Sequence, residues 1–349
     1  RRQRQMCIRD RNKRNNTIRG VLLLVAAALM FSSCAETPGP EEEVTDTRTI
    51  SFGTPALTRS AIDNAGDMQK EENAFSVWGW YANAGGTESG TVFNNKRVFW
   101  SAANPGWGYE GTRYWHPGLD YRFYALYPST DKLGTGVNAA CAVNGTITIT
   151  NFDATHGTDL MTAQQTVQTP DVLTKDPGPV TFTFAHQLAR LSFAVKAVGC
   201  EATVTAFKVN GVTWKVNLTC PASGTPSWSG GEKTTDGDSR LTKADGNITV
   251  SGGNTITMLQ DVLLPPHTAA DLTDAVINMA YRLKGDTGDD RTAEVELATT
   301  EIPHWDAAQQ YSYTLTVSAS SLTLTWKVKP WDTKDTEVSW GPDETTNQE

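Results

Sequence analysis

The sequence predicts an all-β protein built as two tandem sandwich domains. Three observations carry that prediction. The 349-residue chain holds 29 Gly and 16 Pro and is rich in Thr, a mixture of turn formers and strand formers. Apolar residues alternate with polar ones over short runs separated by Gly, Asn, Asp and Pro, the pattern of half-buried strands joined by tight turns. The sequence KDPGP at 175–179 then breaks the chain into two stretches, each of ordinary domain size. A complement of 11 Trp, 9 Tyr and 11 Phe is enough to build cores and excludes a disordered chain.

The elements follow in order. Residues 12–33 read NKRNNTIRGVLLLVAAALMFSS. Lys13, Arg14 and Arg19 flank an unbroken apolar run from Val21 to Phe31. That run is shorter than the ~20 residues needed to span a bilayer and has the build of a signal-peptide core. Ser32 and Ser33 then precede Cys34, which resembles a bacterial lipobox and makes Cys34 the expected lipidated residue. Residues 1–33 are thus read as a leader, with 12–33 the lipoprotein signal peptide. Residues 1–11 are set apart, because MCIRDR resembles translated sequencing-adapter sequence. Residues 34–48, polar, acidic and Pro-containing, are read as a solvated tether.

The leader changes the charge reading. The whole chain carries a net −9, but residues 34–349 hold 22 basic and 38 acidic residues, a net −16. No basic field remains for nucleic acid. Cys141, Cys200 and Cys220 are left after the leader, an odd number that argues against a disulfide framework. Free, mostly buried thiols are the expectation, with a Cys200–Cys220 bridge as the alternative.

Beyond the tether, Phe75–Trp80, Tyr121–Tyr127, Thr146–Phe152, Val180–Phe184, Leu191–Val198, Val204–Val209, Thr213–Leu218 and Asn247–Val250 read as strands. So do Ile256–Leu264, Ala275–Leu283, Ala293–Leu297, Tyr311–Val317 and Leu322–Val328. Asn210-Gly211 signals a two-residue hairpin between two of them. Residues 75–127 hold 15 aromatic side chains. Alternation assigns Phe75, Val77, Tyr121, Phe123 and Tyr127 to a core. A carbohydrate platform is the rival use of such rings. Trp107, in the Gly-rich stretch NPGWGYEG, is the candidate for an exposed one.

Chemistry leaves little trace. His116, His156, His186, His267 and His304 form no HExxH pattern, and no Cys/His set has zinc spacing. There is no GxSxG elbow and no phosphate-binding glycine loop. Asp236 and Asp238 make half a calcium loop, but Arg240 stands where the third oxygen ligand belongs. His186, in FTFAHQLARLSF, has no nucleophile beside it and reads as structural. No catalysis, cofactor or metal is expected.

Four blocks resemble the fimbrillin family, the pilin and adhesin subunits of type V fimbriae. They are the lipoprotein signal followed by TISFGTPALTRSA, the aromatic block FSVWGWY with RYWHPGLDYRFYALYP, the pair DLMTA (159–163) and VTFTFAHQLARLSFAVKA, and QQYSYTLTV followed by a strand and VKPW. The sequence departs from the family at AAQQ (307–310), where a Gly-Lys turn is common.

The resemblance implies two transthyretin-like, Ig-like sandwich domains, 49–178 and 179–349. It implies an outer-membrane lipoprotein cut by an Arg-specific protease between Arg59 and Ser60, with Arg48 a second candidate. It implies removal of a first strand bearing Ile50 and Phe52, a strand expected to pair weakly because Pro55 interrupts it. The opened groove would take an extended C-terminal segment of a neighbouring subunit. Here that segment is 321–340, with Leu322, Leu324, Trp326 and Val328 on one face. Implied partners are other fimbrial subunits, the protease, a lipid anchor before processing, and a host protein or glycan. The implied location is the outer membrane and the fimbrium at the cell surface. A glycan-binding surface lipoprotein is the alternative.

Overall fold

The structure, a computed structural model, describes residues 48–57, 68–70, 73–87, 89–298 and 304–331. The lipobox with Cys34 and the bond Arg59–Ser60 lie outside the described residues.

The first nine strands are β1 (Ala56–Leu57), β2 (Ala74–Asn83), β3 (Ser89–Ser101), β4 (Gly106–Tyr109), β5 (Leu119–Tyr127), β6 (Asn138–Cys141), β7 (Ile147–Asp153), β8 (Met161–Gln168) and β9 (Thr183–His186). Then come β10 (Ala189–Ala197), β11 (Ala202–Asn210), β12 (Thr213–Cys220), β13 (Ser227–Lys233), β14 (Ile248–Val250) and β15 (Thr255–Leu264). The last are β16 (Val276–Leu283), β17 (Arg291–Glu296), β18 (Gln309–Val317) and β19 (Leu322–Pro330). The all-β expectation holds. Among the described residues, no helix is long and apolar enough to cross a membrane.

Seven strands form the first sheet, in the order β1-β9-β8-β5-β2-β3-β4. Its middle strands are buried on both faces. Phe75, Val77, Tyr121 and Phe123 point into one core, whereas Trp78, Tyr124 and Leu126 point into another. This is why FYALY in β5 reads as a continuous apolar run where a half-buried strand would alternate.

Two four-stranded sheets, β15-β10-β18-β19 and β14-β11-β16-β17, face each other across a third core that includes Phe193, Phe207, Ile277 and Tyr313. β10, β16 and β18 alternate cleanly, with burial at every second residue. That is the signature of a sandwich with one wet face per sheet.

The fourth sheet joins the two halves of the chain. Its order is β13-β12-β7-β6, so strands from before residue 154 pair directly with strands from after 212. The described residues, from 48 to 331, fall into one compact unit. The boundary expected at 178/179 also moves. Val180, Phe182 and Phe184 belong to the first core, and β9 pairs with β8 at Met161↔His186. KDPGP turns the chain without releasing it, and the passage to the second sandwich falls at 187–189.

Asn210-Gly211 is likewise not a hairpin within one sheet. β11 pairs with β14 and β16, while β12 leaves to pair with β7 and β13. Gly211 adopts a left-handed φ of 75°, and a Cβ there would lie 1.9 Å from the Asp274 carbonyl oxygen. The turn carries the chain from one sheet to another, with Gly required by both conformation and space.

Candidate functional site

The first sheet has two ends, β4 and the β1–β9 pair, and one segment joins them. Residues 48–57 run extended between the two. Phe52 bridges to Trp107 in antiparallel fashion on one side and to Val180 in parallel fashion on the other. On the first side the Ile50 N–H donates to the Arg113 carbonyl (2.8 Å) and the Trp115 N–H to the Arg48 carbonyl (2.9 Å). On the second the Gly53 N–H donates to the Val180 carbonyl (2.9 Å), the Val180 N–H to that of Ser51 (2.8 Å), and the Ala56 N–H to that of Phe182 (2.8 Å). Pro55 sits between the Phe52 bridge and β1, where no ladder bond needs its missing N–H. Gly53 admits the close neighbour, since a Cβ would meet the Thr181 hydroxyl at 2.4 Å.

The side chains lock the same segment. Ile50 is 1% and Phe52 5% exposed. The Phe52 ring meets Phe75, Phe93, Tyr109 and Phe182, at centroid distances of 5.6–6.1 Å. The Tyr109 hydroxyl donates to the Ile50 carbonyl (2.7 Å) and accepts from the Arg113 N–H (3.2 Å). Burial pushes the Tyr109 pKa up, with the Arg113 N–H working against it, so the phenol stays a donor. Burying Ile50 and Phe52 is worth about 1.5–3 kcal/mol each. The segment therefore does not pair weakly, as the short alternation and Pro55 suggested. Its hold comes from two flanking edges at once, and single-strand periodicity is blind to that.

Trp107 corrects the search for an exposed ring. It is 7% exposed, 5.2 Å from Phe75 and 5.7 Å from Trp100. The glycines around it let β4 close on the first core rather than present the indole to solvent.

The C-terminal candidate is the last strand of its own sandwich. β19 pairs with β18 from Gln309↔Pro330 to Val317↔Leu322 and stands at the edge of its sheet. Leu322, Leu324 and Trp326 are half-buried against the second sandwich's core, and Val328 is 37% exposed. The structure does not bring this strand together with Ile50 and Phe52. Part of the 321–340 segment, from 332 on, lies outside the described residues.

A model of the fimbrillin-like family matches residues 58–331, well over half the chain. The chain belongs to the fimbrillin-like family. Two solved structures share the fold of this fimbrillin-like chain. One is a fimbrial protein from Bacteroides vulgatus, with a TM-score of 0.54, 17% identity, and coverage of 81% of this chain and 99% of that one. The other is a candidate cell adhesion protein from Bacteroides uniformis, with a TM-score of 0.50, 18% identity, and coverage of 82% and 99%. No curated protein matches the chain.

A second constellation in this fimbrillin-like chain escaped residue-by-residue reading. Asp159 of DLMTA, His186 of FTFAHQLARL and Trp331 of VKPW come from three separated blocks and meet at the junction of the two lobes. The His186 Nδ1–H donates to the Asp159 Oδ1 (3.1 Å), and the carboxylate's Oδ2 lies 2.9 Å from the same nitrogen. One face of the imidazole carries the Trp331 indole, stacked at 4.4 Å and 17°. All three are buried, and Trp331 joins the core between the first sheet and the shared sheet. The sequence expectation of a structural His186 fits this setting. The signal that could have found the trio was the co-occurrence of the blocks. Periodicity carried none.

Elsewhere the candidate chemistry is absorbed into structure. Cys141, Cys200 and Cys220 are free. Burial pushes the Cys141 thiol up to about 12, far from a reactive thiolate. Arg240 stacks on Trp214 at 3.5 Å and binds Asp238, which closes the half calcium loop on itself. Among the described residues no group of three or more His, Cys, Asp or Glu is arranged to hold a metal.

Proposed function

We propose that this chain is a structural and adhesive subunit of cell-surface fimbriae, made as an outer-membrane lipoprotein anchored through Cys34 and assembled by strand exchange. The observation that carries the reading is the segment 48–57. It is extended, it closes the gap between two otherwise unpaired edges, and it fills the gap with Ile50 and Phe52. Just beyond it in sequence lies Arg59. A cut between Arg59 and Ser60 converts a covalently held strand into a separate ligand. Its grip then falls with the loss of effective concentration. Its departure leaves a slot walled by Phe75, Phe93, Tyr109 and Phe182, with free N–H and C=O groups along both sides. An extended apolar segment of another subunit completes it by strand addition.

The donor is the C-terminal segment, with Leu322, Leu324, Trp326 and Val328 as its apolar face. In an unassembled subunit this face rests on its own sandwich, where β19 lies now. Family membership and the fimbrial and adhesion descriptions attached to the two solved relatives support the fimbrial role. The glycan-binding alternative loses its best candidate ring with the burial of Trp107. N-terminal sequencing of surface-assembled protein tests the processing step. The expected terminus is Ser60, and an intact Arg59–Ser60 bond in the polymer would sink it.

A further inference from the structure

We infer that Asp159, His186 and Trp331 form a latch that fastens the C-terminal end of β19 inside its own subunit and must open before that strand can serve a neighbour. The second half of this statement rests on the strand-exchange reading. The first does not.

Among the described residues β19 pairs with one strand, β18, at the edge of its sheet. Its inward face is only half-buried and Val328 is exposed. An edge strand of this kind opens from its ends. The leading end is tied to β18 by the turn at Ser318–Ser321, where the Ser318 N–H donates to the Ser321 carbonyl (2.9 Å) and the two hydroxyls share a hydrogen bond (2.7 Å). The trailing end is tied by Trp331, the residue right after the strand. At 3% exposure Trp331 is buried more deeply than any residue of β19 itself.

The tie has three strands of support. The indole stacks on His186, the last residue of β9. The imidazole is held in plane by Asp159. The Trp331 N–H donates to the Ala308 carbonyl (3.0 Å), and the Ala308 N–H donates to that of Leu188 (2.9 Å). The end of the last strand is thus fixed to the chain's crossing point between lobes, not only to its own sheet. The indole Nε1, the His186 Nε2 and the Asp159 Oδ2 are buried without a hydrogen-bond partner. The latch therefore holds by stacking, burial and one His–Asp hydrogen bond while leaving three polar atoms unsatisfied, a weaker closure than its depth suggests.

Hydrogen exchange on the full-length chain tests the latch. In Trp331→Ala the amides of 322–331 are expected to exchange about tenfold faster or more, with β2 and β11 unchanged. Trp331→Phe, which keeps a stacking ring, should stay close to wild type. Unchanged exchange in β19 of Trp331→Ala overturns the latch. If Trp331→Ala loosens the whole chain, Asp159→Asn decides, because it leaves the indole in place. Selective loosening of 322–331 supports the latch, and no loosening there overturns it. Polymer assays on the same variants are read separately. A loosened β19 with no polymer under any condition contradicts strand exchange and leaves the latch standing.

Discussion

Phe52 is the residue on which the first lobe's closure turns. It touches four rings and bridges to both flanking edges. Phe52→Ala should cost about 3–5 kcal/mol, the range for emptying a buried aromatic site, measured as a lower denaturant midpoint. Ala308 gives the opposite sign. It holds a left-handed φ of 60°. An L-residue in that conformation costs roughly 1–2 kcal/mol, and glycine's larger loss of freedom on folding offsets roughly half of that. Ala308→Gly should therefore raise the melting temperature, and a fall would contradict the assignment. His267 sets a pH dependence. Its Nδ1 lies 2.7 Å from the Pro265 carbonyl and its Nε2 accepts the Thr213 N–H (3.0 Å), so only the neutral ring satisfies both. Burial pushes its pKa below the ordinary 6.5. The unfolded chain then takes up the proton first. Its stabilisation is complete above 6.5 and falls as the pH drops from there to the folded-state pKa. Urea titrations between pH 7 and 5 should show a shallower decline in His267→Gln than in wild type.

At the scale of elements, legibility followed burial on one face. Every strand of the second sandwich with clean alternation, such as Leu191–Val198 or Tyr311–Val317, was readable because one side is wet and the other dry. β1, β3, β4, β6, β8 and β13 were not. MTAQQTVQ and SWSGGEK carry too few apolar residues to signal a strand and are held instead by the ladders of β5 and β12. The turn at Asn210-Gly211 was legible as a turn but not as a change of sheet, because the partner of β12 lies more than sixty residues upstream in β7. Gly211→Ala checks that geometry. The strained φ alone should cost about 1–2 kcal/mol, and the clash with the Asp274 carbonyl adds to it. A neutral effect would mean that the crossing is looser than described.

For the whole molecule, the shared sheet β13-β12-β7-β6 and the core beneath it tie the lobes into one body. Pairing between strands so distant in sequence leaves no signal in local periodicity, which is why the chain reads as two tandem domains. The latch trio shows the same limit: each residue sits in a recognisable block, and only the fold brings them together. The slot closed by residues 48–57 is the feature on which the functional account depends. The most direct test is to treat the purified chain with an Arg-specific protease and follow it by SDS electrophoresis without boiling. The account predicts that cleavage exposes Ser60 as a new N-terminus and that SDS-resistant ladders then appear, and appear less when a large excess of a peptide spanning 48–57 is present. Complete cleavage at Arg59 that yields only monomer, with residues 48–57 gone from the fold, would contradict it.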